Sequence, residues 1–273
     1  MPMKVKLYYW NFPIGYHVAI KAFDTLSNRS IFRAWGGTDS LENDLKSYGN
    51  NPLILNMPIS NVCFDDFAHK MIDAGFAPGI EYYDFFKFSN LSNNCAHGAA
   101  KLLTLAGYDL PSIPNIFMRP YIVALQAFGA CLQMREDQFK KIQTCSCNPQ
   151  EKVKALSDLA KAMLADYDFR FEIENTPRTC KYEPSLVELN KFDFTAPLDA
   201  EFFKNLKQLK KSMRPEIKPV LQACIDQQPK LNPQNLFAKP EFSPIANSAP
   251  NTTVSDTCQT PSSSLALRAQ IRS

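Results

Sequence analysis

The sequence predicts an α+β protein: a small antiparallel sheet packed on a helix, followed by a helical region and a disordered polar tail. Three observations carry that expectation. In GYHVAIKAF, Val18, Ile20 and Ala22 alternate with His17, Ala19 and Lys21, which is the period of a strand. In NNCAHGAAKLLTLAG, Ala99, Leu102, Leu103 and Ala106 recur at helical spacing. Beyond residue 110 the apolar residues keep the helical period, until the composition changes near Pro229.

Taken in chain order, MPMKVKLYYWNFPIGYH carries charge but no uninterrupted apolar core, so no secretory signal is expected. GYHVAIKAF and the strand-like SIFRAW are joined by TLSNR, whose polar residues suit a hairpin turn about Ser27 and Asn28. That turn would set His17 opposite Gly37 or Thr38. In VCFDDFAHKMIDAG, Phe64, Phe67, Ala68 and Met71 form an apolar stripe, while Asp65, Asp66, Lys70 and Asp73 face water. LILNMPI and YYDFFKF are short β-rich runs expected to join the hairpin in one antiparallel sheet against the helix after Asn94. Asn93 or Asn94 suits the cap of that helix, and Gly107 the left-handed position that ends it.

DLPSIPNIFMRP is a rigid, proline-rich connection, and the run YIVALQAFGACLQM is too short for a membrane span and reads as a buried helix; a membrane-surface role for it is the less favoured alternative. PQEKVKALSDLAKAMLADYDF opens on a proline and keeps Val153, Leu156, Leu159, Ala160 and Met163 on one face. LDAEFFKNLKQLKKSMRPEI points Phe202, Phe203, Leu206 and Leu209 inward and Lys204, Lys207, Lys210, Lys211 and Arg214 outward. These readings divide the chain into residues 1–110, a sheet-and-helix domain; 111–228, a helical extension packed on it; and 229–273, the polar tail.

Cys95 falls in the first turn of its helix, where unpaired N–H groups and the helix dipole favour a thiolate. A nucleophilic thiolate needs a base, and the chain holds three histidines. His97 follows Cys95 by two positions, roughly 200° around the helix. His69 sits on the rim of the VCFDDFAHKMIDAG stripe and reads as a surface residue. His17, on a strand, is the candidate base.

A histidine early on the first strand of a hairpin, and about 80 residues later a cysteine opening a helix after Asn, resembles the circularly permuted papain-like hydrolases. These are relatives of the NlpC-type peptidases, of the lecithin:retinol acyltransferase type and of the PPPDE deubiquitinase type. Gly15, His17, Val18 and Ala19 match one motif, Asn94 and Cys95 the other, and SLENDLKSYGNNP with LILNMPIS looks like the insert of some bacterial members. The resemblance covers roughly residues 5 to 110. It implies acyl transfer by a Cys95–His17 pair on an amide, isopeptide or thioester bond, with the backbone N–H of Cys95 in the oxyanion hole and Asn11 or Tyr16 as a second donor. Such enzymes usually orient the histidine from the next strand. Ser30, Arg33, Thr38 and Asp39 are the polar residues there, and Asp39 has the most suitable chemistry, although a turn or helix-cap role would also account for it.

Net charge of +3 is too small to imply nucleic acid as a partner. The eight cysteines lack the density of a secreted disulfide scaffold and read as mostly reduced. No cofactor is expected; a cysteine-only metal site would have to use Cys131, Cys145, Cys147 and Cys180. The expected partner is a protein or acylated substrate, including a host protein if the chain is a bacterial effector. The expected location is the cytoplasm of the producing cell, or a host cell reached without a Sec signal. The competing function is a binding protein that keeps the papain-like shell without catalysis.

Overall fold

The computed structural model describes residues 2–12, 15–34, 40–76, 95–112, 118–174 and 186–229. The segment YYDFFKF, the two asparagines before Cys95, Cys180 and the tail from residue 230 lie outside them. Within the described residues the chain is α+β. Its sheet is antiparallel and combines β1 (Pro2–Phe12), β2 (Gly15–Asp24), β3 (Ser30–Ala34), β4 (Leu53–Asn56) and β5 (Ser60–Cys63). The order is β3-β2-β1-β4, and β5 pairs with the start of β1 beside β4.

β1 is therefore the central strand, which the sequence reading did not assign. Its two faces go to two different layers. Met3, Val5, Leu7 and Tyr9 join Val18, Ile20 and Ala22 under α3 (Cys95–Leu105) and α4 (Pro120–Thr144). Tyr8 and Trp10 join Ala19 and Phe32 under α1 (Leu41–Tyr48), packed by Leu41, Leu45 and Tyr48. Because the sheet is covered on both sides along this strand, β1 loses the polar–apolar alternation of a half-buried strand where Tyr8 and Trp10 interrupt it.

The β2–β3 hairpin has a wider loop, centred one residue earlier, than a turn on Ser27 and Asn28 would make: Phe23 pairs with Ser30 and Ala19 with Ala34. The loop is closed by Asp24 N–H donating to the Arg29 carbonyl at 2.9 Å. The Asp24 carboxylate accepts from Leu26 N–H, the Ser27 hydroxyl and Arg29, and Asn28 takes the left-handed conformation at φ 56°. Asparagine tolerates that region, which moves the centre of the turn toward Leu26.

α2 (Phe64–Asp73) buries Phe64, Phe67 and Met71 as its stripe predicts, and His69 is exposed. α3 ends in two bonds, Gly107 N–H to Thr104 O at 2.9 Å and Tyr108 N–H to Leu103 O at 3.1 Å, with Gly107 at φ 85°. That is a Schellman motif on the expected glycine. α4 runs well past the apolar stretch that marks its first half, and α5 (Pro149–Ile173) returns along it. The last turns of α5 add Phe169 and Ile173 to the sheet core. Its first half anchors a second core with α6 (Leu186–Lys191), α7 (Ala200–Ser212) and α8 (Lys218–Ile225). Phe202, Phe203 and Leu206 point inward there as expected. Arg214 does not point to water: its guanidinium lies over the rings of Phe171 and Tyr167 at 4.2 and 5.0 Å and pairs with Glu216. No helix among the described residues is long and apolar enough to cross a membrane.

Candidate active site

His17 enters the site from β2, where it pairs across the sheet with Trp10 of β1. Cross-strand partners share a face, so the imidazole lies in the aromatic layer under α1. Its ring stacks on Tyr48 with centroids 4.1 Å apart, and Trp10 stands at 5.4 Å. Trp10 also donates its indole N–H to the Gly49 carbonyl at 2.9 Å, which pins the end of α1 to β1. The ring is thus held from two sides by residues that hold each other.

Among the described residues, the carboxylate facing His17 belongs to Asp44. Nε2 of His17 lies 3.0 Å from Oδ2 of Asp44, with both residues buried, at 4 % and 1 % exposure. Asp39 lies outside the described residues. α1 sets Asp44 against His17: Leu41, Asp44, Leu45 and Tyr48 fall on one stripe, so the helix that covers the histidine face lowers Asp44 onto it. With Nε2 taken by the carboxylate, Nδ1 is the nitrogen left to face a sulfur.

Cys95 is the first residue of α3, half-buried and in the reduced form. Burial lowers the pKa of His17, but the hydrogen bond to Asp44 and then the neighbouring Cys95 outweigh it and raise the imidazole to about 9. His17 is consequently an imidazolium at neutral pH. Its two raising neighbours are an acceptor on one side and a thiol on the other. α3 covers the opposite face of the sheet from the one His17 occupies. The two residues come together because each stands near the end of its element: His17 is the third residue of β2 and Cys95 the first of α3.

Asn11 and Tyr16 are cross-strand partners one step beyond the Trp10–His17 pair, on the face that α3 covers. Tyr16 is half exposed and stacks on Tyr9 at 6.0 Å. His97, on the same helix as Cys95, is half-buried, and neither it nor His69 is among the groups that shift His17. Cys131 is buried beside Met57, and Cys145 is bonded to Cys147 rather than reduced. No cluster of His, Cys, Asp or Glu among the described residues could hold a metal ion.

The residue that sequence reasoning missed is Asp44, and a signal for it exists. In LENDLKSY an acidic residue occupies the helix stripe otherwise filled by Leu41, Leu45 and Tyr48, and a carboxylate on an apolar stripe needs a buried partner. No protein-family model, curated protein or solved structure matches the chain.

Proposed function

We propose that the chain is a cysteine hydrolase or acyltransferase of the circularly permuted papain-like type, acting on an amide, isopeptide or thioester bond. Cys95 is the nucleophile, His17 the acid–base and Asp44 the residue that orients it. One observation carries the reading: a buried histidine lies between a carboxylate on one ring nitrogen and a cysteine at a helix start, and both raise its pKa.

In this mechanism His17 is protonated and Cys95 is the thiolate. The thiolate attacks the carbonyl carbon, and the developing oxyanion meets the Cys95 backbone N–H at the start of α3, with Asn11 or Tyr16 as second donor. The imidazolium then gives its Nδ1 proton to the leaving amine or thiol, and the acyl group stays on sulfur as a thioester. Neutral His17 next takes a proton from water or another acceptor, which attacks the thioester and frees the thiolate. Asp44 keeps the Nε2 proton in place throughout, so that Nδ1 is the nitrogen that exchanges.

Brief iodoacetamide treatment at neutral pH should alkylate Cys95 ahead of Cys63, Cys131 and Cys224, and His17→Ala should remove that preference. Protection of Cys95 until the chain is denatured would overturn the nucleophile and favour a non-catalytic binding shell.

A further inference from the structure

We infer that the loop Cys145–Ser146–Cys147 is a thiol–disulfide exchange site for small thiols of the glutathione class, separate from Cys95. The bond joins residues two apart, in the turn between α4 and α5. Closing so short a loop removes little chain entropy from the unfolded state, so the bond is a poor structural staple. The turn is already held without it. Asn148 caps α5 by accepting from Glu151 N–H at 2.8 Å, and the Lys152 ammonium donates to the Gln143 carbonyl at 2.7 Å.

Access and charge both favour exchange. Cys147 is exposed and Cys145 half exposed, whereas Cys131 and Cys224 are buried, with thiols pushed up by burial. Cys147 directly precedes the cap of a 25-residue helix, whose positive end favours a thiolate. The Lys152 ammonium lies 3.5 Å from the Cys145 carbonyl oxygen, so the same turn carries a cation. Exposed disulfides are those that small thiols open.

The exchange balances as follows. A thiolate attacks the exposed Cys147 sulfur, forming a mixed disulfide, and the Cys145–Cys147 bond breaks with its electron pair leaving on Cys145. A second thiol attacks the small-molecule sulfur of the mixed disulfide and frees Cys147 as a thiolate. The two thiols end as one disulfide and have given up two electrons and two protons. The protein gains two thiols. Run backwards, the dithiol reduces an oxidised small thiol.

The test uses the full chain carrying Cys95→Ser, so that a failure of the proposed hydrolase leaves the result readable. Mixtures of reduced and oxidised glutathione are equilibrated with it, quenched by acid and alkylation, and the peptide holding both cysteines is weighed. The bridged fraction should titrate reversibly with unchanged circular dichroism. Adding Cys145→Ser should trap one glutathione on Cys147. A bridge that resists glutathione until the chain unfolds, one that forms at no ratio, or a Cys147 that takes up no glutathione would each overturn the inference.

Discussion

An imidazole held between a carboxylate and a thiol changes its charge according to which of the two is taken away. In Asp44→Asn the amide oxygen still accepts from Nε2, but the negative charge that raises His17 is gone, and burial, which lowers it, gains weight. On the proposed mechanism the imidazolium is needed to protonate the leaving group, so kcat/KM should fall as pH rises through about 9 in the wild type. In Asp44→Asn that fall should begin at lower pH, and an unmoved limb would remove Asp44 from the site. The same raised pKa stabilises the fold: its contribution is complete below the unfolded value of 6.5 and is lost as pH rises through about 9. The placement of Cys95 at a helix start and of His17 on a strand was legible in the sequence, because each is marked by local pattern. Asp44 was not, because its role depends on α1 folding over the sheet. The sequence reading rested on Asp39, the nearest acidic residue after the hairpin, which lies outside the described residues.

Among the elements, α3 shows how one backbone position sets the placement of the Cys95 helix. Gly107 sits at φ 85°, and a Cβ built there would come within 2.9 Å of Val62 Cγ2 on the strand side. Gly107→Ala therefore combines a left-handed alanine with a clash and should cost about 1–3 kcal/mol. Urea denaturation would register it as a lower midpoint at unchanged slope, and a loss under about 0.5 kcal/mol would contradict the packing described. The glycine, the α2 stripe and the apolar faces of α5 and α7 were all readable, since each is a periodic or conformational signal. β1 escaped because it is covered on both faces: Val5, Leu7 and Tyr9 alternate with Lys4 and Lys6, but Tyr8 and Trp10 then fill the polar phase. Arg214 escaped because it lies just past the end of α7, where the helical period of LDAEFFKNLKQLKKS no longer tells its direction, and it turns over the rings of α5.

Across the whole molecule, Arg135 of α4 ties three elements together. Its Nε meets Asp166 of α5 at 3.0 Å, and its Nη2 donates to the Asn56 carbonyl of β4 at 3.2 Å. Burial raises the Asp166 carboxyl to about 6 against the opposing pull of Arg135. The Asp166 contribution to stability is thus present below 3.8 and is lost as pH rises through about 6. Arg135→Ala should cost about 3–5 kcal/mol at neutral pH, because it leaves a buried carboxylate alone. Without Arg135 the buried carboxyl titrates above its wild-type value, so that penalty should shrink as pH is lowered toward about 6, and Arg135→Met with Asp166→Leu should recover most of it; thermal melts of the single and double variants at two pH values decide this. The central position of β1 bears on how the chain is made. On a ribosome the middle strand emerges ahead of its partners, and Leu53 to Asn56, which zip against Tyr9 to Lys6, follow only after the hairpin and α1 have been translated. In that order of synthesis His17 comes first, Asp44 next and Cys95 last. On the proposed mechanism the thiol meets its base only once every strand of the described sheet has been translated.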